Sequence, residues 1–416
     1  MQKLLLKNIK NLFGVYEQPP VKLSGKEMNL VPAVDNAWLA CDGGLIADFG
    51  KMEDFPGITD WKDLTVIDCA GKMVMPCFAD SHTHIVYAGN REKEFEDKIS
   101  GLSYEEIAKR GGGILNSVAK LRETSEDDLF EQAKKRLEEV ISLGTGAIEI
   151  KSGYGLDLEN ELKMLRVIQR LKVLGYIPVT STFLGAHAVP AEFKDNKKAY
   201  LDLVVDEMLP AIKAENLADF IDVFCEQGYF TADETKRVLE AGKKYGLIPK
   251  VHAEQMSNSG GIQAGLSCGA ISVDHLEFCN DQDILSLKNA YTMPTILPGA
   301  AFFLGLPLPP ARKMIDAGLP VAFASDYNPG SSPSGNMKLV MSMACIQYKL
   351  TPQEAFNAIT VNSAYAMGLE KKVGTITRGK LANLVITNEI SSLAYLPYAF
   401  GSHLINKVII NGKEWK

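Results

Sequence analysis

No two cysteines in this chain stand in a C-x-x-C spacing, and the seven present (Cys41, Cys69, Cys77, Cys225, Cys268, Cys279 and Cys345) are scattered and odd in number. That pattern excludes a disulfide scaffold. It suits a reducing compartment, where such residues are small apolar ones. No apolar run can span a bilayer: the most apolar stretch, Met293 to Ala311, carries Pro294, Pro298, Pro307, Pro309 and Pro310. The amino-terminal MQKLLLKNIKN holds only three consecutive apolar residues, too few for a signal-peptide core, so the cytoplasm is the expected location. Positive charge is not in excess. Lys plus Arg is 44 against 51 Asp plus Glu, a net charge of −7, so no nucleic acid or membrane partner is expected. Internal repeats and low-complexity segments are absent. The remainder is ordinary globular sequence, 46% hydrophobic and 23% charged over 416 residues, enough for one large domain with a smaller one.

The middle of the chain alternates short apolar runs with amphipathic stretches. Strands are expected at Met73–Thr83, Gly146–Lys151, Ile177–Ala186, Phe220–Cys225, Ile248–Ala253, Ala270–His275, Tyr291–Leu297 and Pro320–Ser325. Helices are expected between them, at Ser125–Leu143, Glu159–Leu174 and Ala232–Tyr245, each closed by a glycine. Strands separated by helices pair in parallel through right-handed crossovers, and eight such units in about 250 residues fit an α/β fold of the (β/α)8 TIM-barrel type. An open doubly wound sheet would place a glycine-rich phosphate turn after its first strand. Here that strand ends in Asp80-Ser81-His82-Thr83-His84. Both ends of the chain read as short strands (Trp38–Ala40, Leu45–Phe49 and Thr65–Asp68; then Gly374–Ile376, Asn383–Ile386 and Lys407–Gly412). Neither end has core enough to stand alone, so residues 1–72 and 373–416 are expected to share one small β-sandwich domain flanking a barrel at 73–372.

Histidine is scarce, with six in the chain, and five of them (His82, His84, His187, His252 and His275) fall at or just after the end of an expected strand. In a barrel these ends converge on one face. His82 and His84, two apart on a strand, point to the same side and make a chelating pair, with Asp80 on that face and Val74 and Pro76 deeper on it. Taken singly, His252 and His275 are satisfied polar residues, and Asp326 before Tyr327-Asn328-Pro329-Gly330 is a turn residue. Taken together, so many ligand-type side chains at strand ends are a poor match to chance. Three histidines and an aspartate leave coordination positions open to water, the layout of a hydrolytic metal site. A closed structural zinc would favour cysteines; a redox iron would more typically use two histidines and one carboxylate, and it stays open as an alternative.

Pro76-x-x-Ala79-Asp80-Ser81-His82-Thr83-His84, the later strand-end histidines and the final strand-end Asp326 resemble the amidohydrolase superfamily. Cys77 departs from the glycine common there. The fourth strand, Asp222-Val223-Phe224-Cys225-Glu226, lacks the lysine that bridges two metals in binuclear members. Lys151 and Lys250, on strands 2 and 5, are read instead as interior charges paired with Glu149. A narrower resemblance, to the imidazolonepropionase family, rests on five blocks in order: Glu149–Leu156, Phe183–Pro190, Asp222–Glu226, Val273–Glu277 and Ser325–Ser332.

That resemblance implies hydrolytic opening of 4-imidazolone-5-propanoate to N-formimidoyl-L-glutamate, a step of histidine degradation. It implies one divalent metal, Zn or Fe, on His82, His84, His252 and Asp326. It places His275 beside the nascent oxyanion and makes Asp326 a proton carrier. Arg91 holds the carboxylate tail of the substrate, and Tyr154, His187, Asn328, Gly330 and Ser331 contact ring and tail. Deaminase relatives carry a glutamate three residues after the strand-5 histidine. Gln255 stands there, an amide that can orient water or bind a ring N–H but cannot shuttle a proton. Glu254 alternates to the other face and reads as structural. Without the resemblance Arg91 is a surface charge, and Gly111-Gly112-Gly113 is either a loop hinge or a flexible connection. A homodimer is the assembly common among relatives. The alternatives are a mononuclear deaminase of aminated heterocycles, a barrel that has lost its metal and serves as an interaction protein, and a phosphate-binding barrel enzyme. The last lacks its glycine-rich turn.

Overall fold

Parallel strands need crossovers with definite ends, and side-chain caps supply them. The Ser125 hydroxyl accepts from the Asp128 amide (3.1 Å) and starts the helix Glu126–Ser142. Asp157 accepts from the Asn160 amide (2.8 Å) and starts Leu158–Val173. Thr231 and Glu234 form a reciprocal capping box at the start of Ala232–Lys244. These are the three expected helices, within a residue or two at each end.

The structure, a computed structural model, describes residues 3–102, 112–288 and 290–416, so Gly111 of the expected hinge lies outside the described residues. Its strands are β1 (Lys3–Phe13), β2 (Ala33–Asp42), β3 (Leu45–Lys51), β4 (Leu64–Asp68), β5 (Lys72–Pro76), β6 (Phe78–Asp80), β7 (Thr145–Lys151), β8 (Val179–Ala186), β9 (Phe220–Cys225), β10 (Ile248–Ala253), β11 (Ser272–His275), β12 (Met293–Ile296), β13 (Ala322–Phe323), β14 (Leu384–Glu389), β15 (Ile405–Ile410) and β16 (Lys413–Glu414). Strands β6 to β13 pair in sequence order, all parallel. The first and last edges are joined beyond the strands themselves. The Asp326 amide donates to the His82 carbonyl (3.0 Å), and the His84 amide donates to the Tyr327 carbonyl (2.9 Å). The result is the expected (β/α)8 barrel, and its seam runs through three residues of the site, His82, His84 and Asp326.

The other sheet runs β16-β15-β14-β5-β1-β2-β3, with β4 also on β1, and so draws on both ends of the chain. Leu6, Ile9, Leu39, Val74, Leu384 and Ile409, from five of its strands, share one buried cluster, the core of the small β-domain. The expected single strand Met73–Thr83 is two strands. Met73 to Pro76 pair with β1 and β14 in the terminal sheet, and the chain crosses into the barrel at Cys77. Val74 and Pro76 are therefore not deeper barrel residues beneath the histidines. Gly374–Ile376 forms only an isolated bridge, Val15 to Ile376, rather than a strand.

Candidate active site

The carboxyl ends of the barrel strands bring the scarce histidines together. His82 and His84 lie just past β6 on extended chain, and their Nε2 atoms stand 3.3 Å apart. Asp326 Oδ1 lies 3.6 Å from His82 Nε2 and 3.5 Å from His84 Nε2. His252, from β10, completes one group with His82 and His84; His275, from β11, completes a second with His82 and Asp326. Ligand atoms within each group lie within 4.8 Å of one another. His275 (φ 86°) and Asp326 (φ 55°) are both in the left-handed region, which costs a non-glycine residue ~1–3 kcal/mol. Neighbouring bonds hold them there: Leu276 N to Ala253 O (3.0 Å), and Asp326 N to His82 O.

Beneath this cluster the barrel interior is ionic. Lys151 Nζ lies 2.6 Å from Glu149 Oε1, 2.8 Å from Asp222 Oδ2 and 3.8 Å from Asp274 Oδ2, and Lys250 pairs with the other Glu149 oxygen, as expected. Asp274 Oδ2 accepts from His82 Nδ1 (2.6 Å), and Asp222 Oδ2 lies 2.9 Å from His252 Nδ1. A carboxylate on Nδ1 leaves Nε2 as the free lone pair and fixes the ring's orientation. Burial penalises charge on Lys151, but Asp222, Glu149 and Asp274 outweigh it and hold its pKa above the ordinary lysine value. Burial likewise opposes charge on Asp222, and His252 with Lys151 drives its pKa well below the usual range.

The cluster fits a divalent metal. Burial, aided by Lys151 and neighbouring imidazoles, pushes His82 and His84 well below the ordinary value. Burial also takes His252 to about 3. These rings are thus neutral, the ligand form, and His252 Nε2 has no hydrogen-bond partner among the described residues. Lys151 and Lys250 are engaged by carboxylates, Lys151 by Glu149 and Asp222 and Lys250 by Glu149.

A cavity of 180 Å³ opens above the cluster, lined by His84, His252, His275 and Asp326 and by each expected contact residue: Arg91, Tyr154, His187, Gln255, Asn328, Gly330 and Ser331. His82 lies behind it. His187 Nδ1 donates to the Gly153 carbonyl (3.0 Å), and its ring stacks on His84 at 5.5 Å. Burial lowers His187 to about 4, so its Nε2 is an acceptor. Asn328 Oδ1 accepts from the Gly330 and Ser331 amides, and Ser331 Oγ lies 3.2 Å from Asp326 Oδ2. Burial raises Asp326 to about 6 against the pull of His275, Asn328 and Ser331. At His275 burial opposes charge, but Glu277, Asp326 and Asp274 outweigh it and hold the imidazole above its ordinary value.

Glu161 and Glu226 shape the site without having been singled out from sequence, and Asp80, expected beside the two histidines, turns instead to Ser325. Glu161 accepts from the amides of Gly153, Gly155 and Leu156 and so fixes the loop that carries Tyr154. Glu226 accepts from the Met256 amide (2.8 Å) beside Gln255. Asp80 accepts from Ser325 N (3.0 Å) and Oγ (2.5 Å), which anchors the approach to Asp326. The signal was available in each case: a carboxylate at the end of an otherwise apolar strand, or early in the helix after a Gly-x-Gly loop. Glu254 is structural, as expected, with Oε2 accepting from the Ile262 amide (3.0 Å) at the start of a helix. The larger hollow of 990 Å³, between the terminal sheet and the helix Glu126–Ser142, contains none of the expected site residues.

Residues 73–415 match the model of the amidohydrolase family. An imidazolonepropionase from Christiangramia forsetii is 57% identical to the chain, over 99% of both sequences. The chain belongs to the imidazolonepropionase family of amidohydrolases. A second imidazolonepropionase, from Flavobacterium johnsoniae, is 55% identical over 98% of this chain and 99% of its own. Among solved structures the amidohydrolase fold is shared with guanine deaminase from C. acetobutylicum (17% identity, TM-score 0.70, all of both chains). It is also shared with E. coli guanine deaminase (13%, TM-score 0.75, 100% of this chain and 99% of that one). At such identities the likeness concerns the amidohydrolase fold alone. No helix among the described residues is long and apolar enough to cross a membrane.

Proposed function

We infer that the protein hydrolyses 4-imidazolone-5-propanoate to N-formimidoyl-L-glutamate, a step of histidine degradation. The observation that carries the reading is one cavity holding a cluster of neutral imidazoles with a carboxylate at its floor and an arginine at its wall. One divalent metal, Zn or Fe, is held by His82, His84, His252 and Asp326. When bound, such an ion supplies positive charge that polarises a carbonyl and acidifies water. A reducing cytoplasm suits the seven free thiols.

Arg91 binds the propanoate tail, and Tyr154 and His187 flank the ring. Water adds to the ring carbonyl carbon, and Asp326 takes its proton at a carboxylate oxygen. His275 donates a hydrogen bond to the oxygen that gains negative charge. The carbonyl carbon–nitrogen bond then breaks, and the proton on Asp326 passes to the departing ring nitrogen. Gln255 orients water or a ring N–H. The absence of an acid at Gln255 favours ring opening over expulsion of an exocyclic amine, the deaminase alternative.

Two experiments test this reading. Product analysis should show N-formimidoyl-L-glutamate and no ammonia; ammonia release from an aminated heterocycle, with no ring opening, would place the chain among deaminases. Arg91→Ala should raise KM at least about 30-fold while metal content is unchanged, the loss expected when a partly buried carboxylate loses its charged partner. An unchanged KM would remove Arg91 from the tail site.

A further inference from the structure

Arg91 stands at the entry to the helix Glu92–Ile99, on a connecting segment rather than on a barrel strand. An arginine in such a place carries ~2 kcal/mol of rotamer entropy that must be lost before its fork can meet a carboxylate. The structure shows the side chain already fixed. Arg91 Nε donates to Glu94 Oε2 at 2.7 Å, and Nη2 lies 2.6 Å from the same oxygen. Glu94 is itself held from a second element: Oε1 accepts from Asn116 Nδ2 (3.1 Å), and the Gly113 amide also donates to the carboxylate. Burial alone would raise the Glu94 pKa; Arg91, Asn116 and Gly113 outweigh it and keep the group ionised.

A guanidinium has two donor edges suited to a carboxylate. Glu94 takes the edge formed by Nε and Nη2. Nη1 donates to nothing among the described residues, and it lies so close to Gly330 that a Cβ there would overlap it. Arg91 and Gly330 both line the 180 Å³ cavity with Asn328 and Ser331. The edge that remains, Nη1 with the second hydrogen of Nη2, is thus the one presented beside Gly330.

We propose that Glu94 is a positioning residue for carboxylate selection: it locks one edge of Arg91, whose guanidinium fills the space a side chain at Gly330 would need, so that the other edge is set to receive the substrate's tail end-on from the cavity. This rests on the reading of the cavity as the site of a carboxylate-tailed substrate. Glu94 does not touch that substrate. Its carboxylate and the tail share the guanidinium from opposite edges, and the gain is in prior orientation of Arg91.

Glu94→Gln keeps the volume and the Asn116 contact but leaves one neutral acceptor in place of the carboxylate. KM for 4-imidazolone-5-propanoate should rise about 5- to 30-fold, the size of a lost hydrogen bond between charged groups. The kcat value should stay within about 2-fold, and the melting temperature should match the wild type. Introduced into Arg91→Ala, the same change should move KM less than about 2-fold, because its effect passes through Arg91. A KM in active Glu94→Gln that is unchanged would overturn the proposal. So would a lower KM, which would make Glu94 a competitor for Arg91, or an equal rise in the Arg91→Ala background. Wild-type protein that does not open the ring at all would instead refute the substrate reading, and the assignment of Glu94 with it.

Discussion

Asp326→Asn is expected to lower kcat about 10³- to 10⁴-fold without unfolding the protein. Asp326 is the point where three parts of the site meet. Its Oδ1 lies within 3.6 Å of both His82 and His84 Nε2, and its Oδ2 lies 3.2 Å from Ser331 Oγ. Its amide closes the barrel onto His82. Asparagine keeps the side-chain volume and the Ser331 contact, and it is among the residues that best tolerate the φ of 55° found here. What it loses is the negative charge facing the imidazoles and the oxygen that accepts a proton. The measurement is kcat with metal content and thermal unfolding on the same preparation. A folded variant with kcat within about 10-fold of wild type would exclude Asp326 as the proton carrier.

The second large effect is on stability. Lys151→Met is expected to destabilise the fold by about 3–5 kcal/mol, because removing one partner of a buried ionic group strands the others. Lys151 and all three of its carboxylate neighbours, Glu149, Asp222 and Asp274, are fully shielded from solvent. Without the ammonium, three carboxylates would share a closed layer with Lys250 alone. Asp222 and Asp274 also hold His252 and His82, so the variant should bind metal about 10- to 100-fold more weakly, the usual cost of losing support behind a ligand. Urea unfolding should show a lower midpoint at unchanged slope, and chelator competition should show the weaker binding. A midpoint shift equivalent to less than about 1 kcal/mol would mean that the layer contributes little to stability.

The barrel was legible because its strands are short apolar runs with ligand-type residues at their ends; the spacing of His82 and His84 marked them as a same-face pair, and their role as ligands came from the joint pattern and the family likeness. Arg91 was not legible. Its segment looks like exposed chain, and only a family likeness singled it out; the restraint by Glu94 depends on a helix start and on Asn116, twenty-two residues further on. Asp222 and Asp274 stood in plain view on strands, but their pairing with His252 and His82 follows from register and barrel closure, which no local pattern encodes. The break at Cys77 was hidden for a related reason. Lys72 to Asp80 is continuous extended chain, and only its partners, β1 and β14 on one side and β7 on the other, divide it between two sheets. The eleven-residue β1 is not among the expected strands, and its pairing with β2 shifts register between Leu6 and Ile9. Its buried residues Leu4 to Leu6, Ile9 and Leu12 do not follow the period-2 alternation that marks a half-buried strand. The last three barrel strands, β11 to β13, are shorter than their apolar runs, and His275 at the end of β11 and Asp326 beyond β13 take the left-handed conformation that carries the site.

The most direct measurement is the decay of ultraviolet absorbance of freshly generated 4-imidazolone-5-propanoate with the protein as purified, after chelation, and after chelation followed by return of Zn or Fe. Rapid decay to N-formimidoyl-L-glutamate, lost on chelation and restored by one equivalent of metal, is the predicted result. Decay no faster than the uncatalysed rate with protein shown to be metal-loaded would contradict the substrate assignment, and full activity in metal-free protein would contradict the role given to His82, His84, His252 and Asp326.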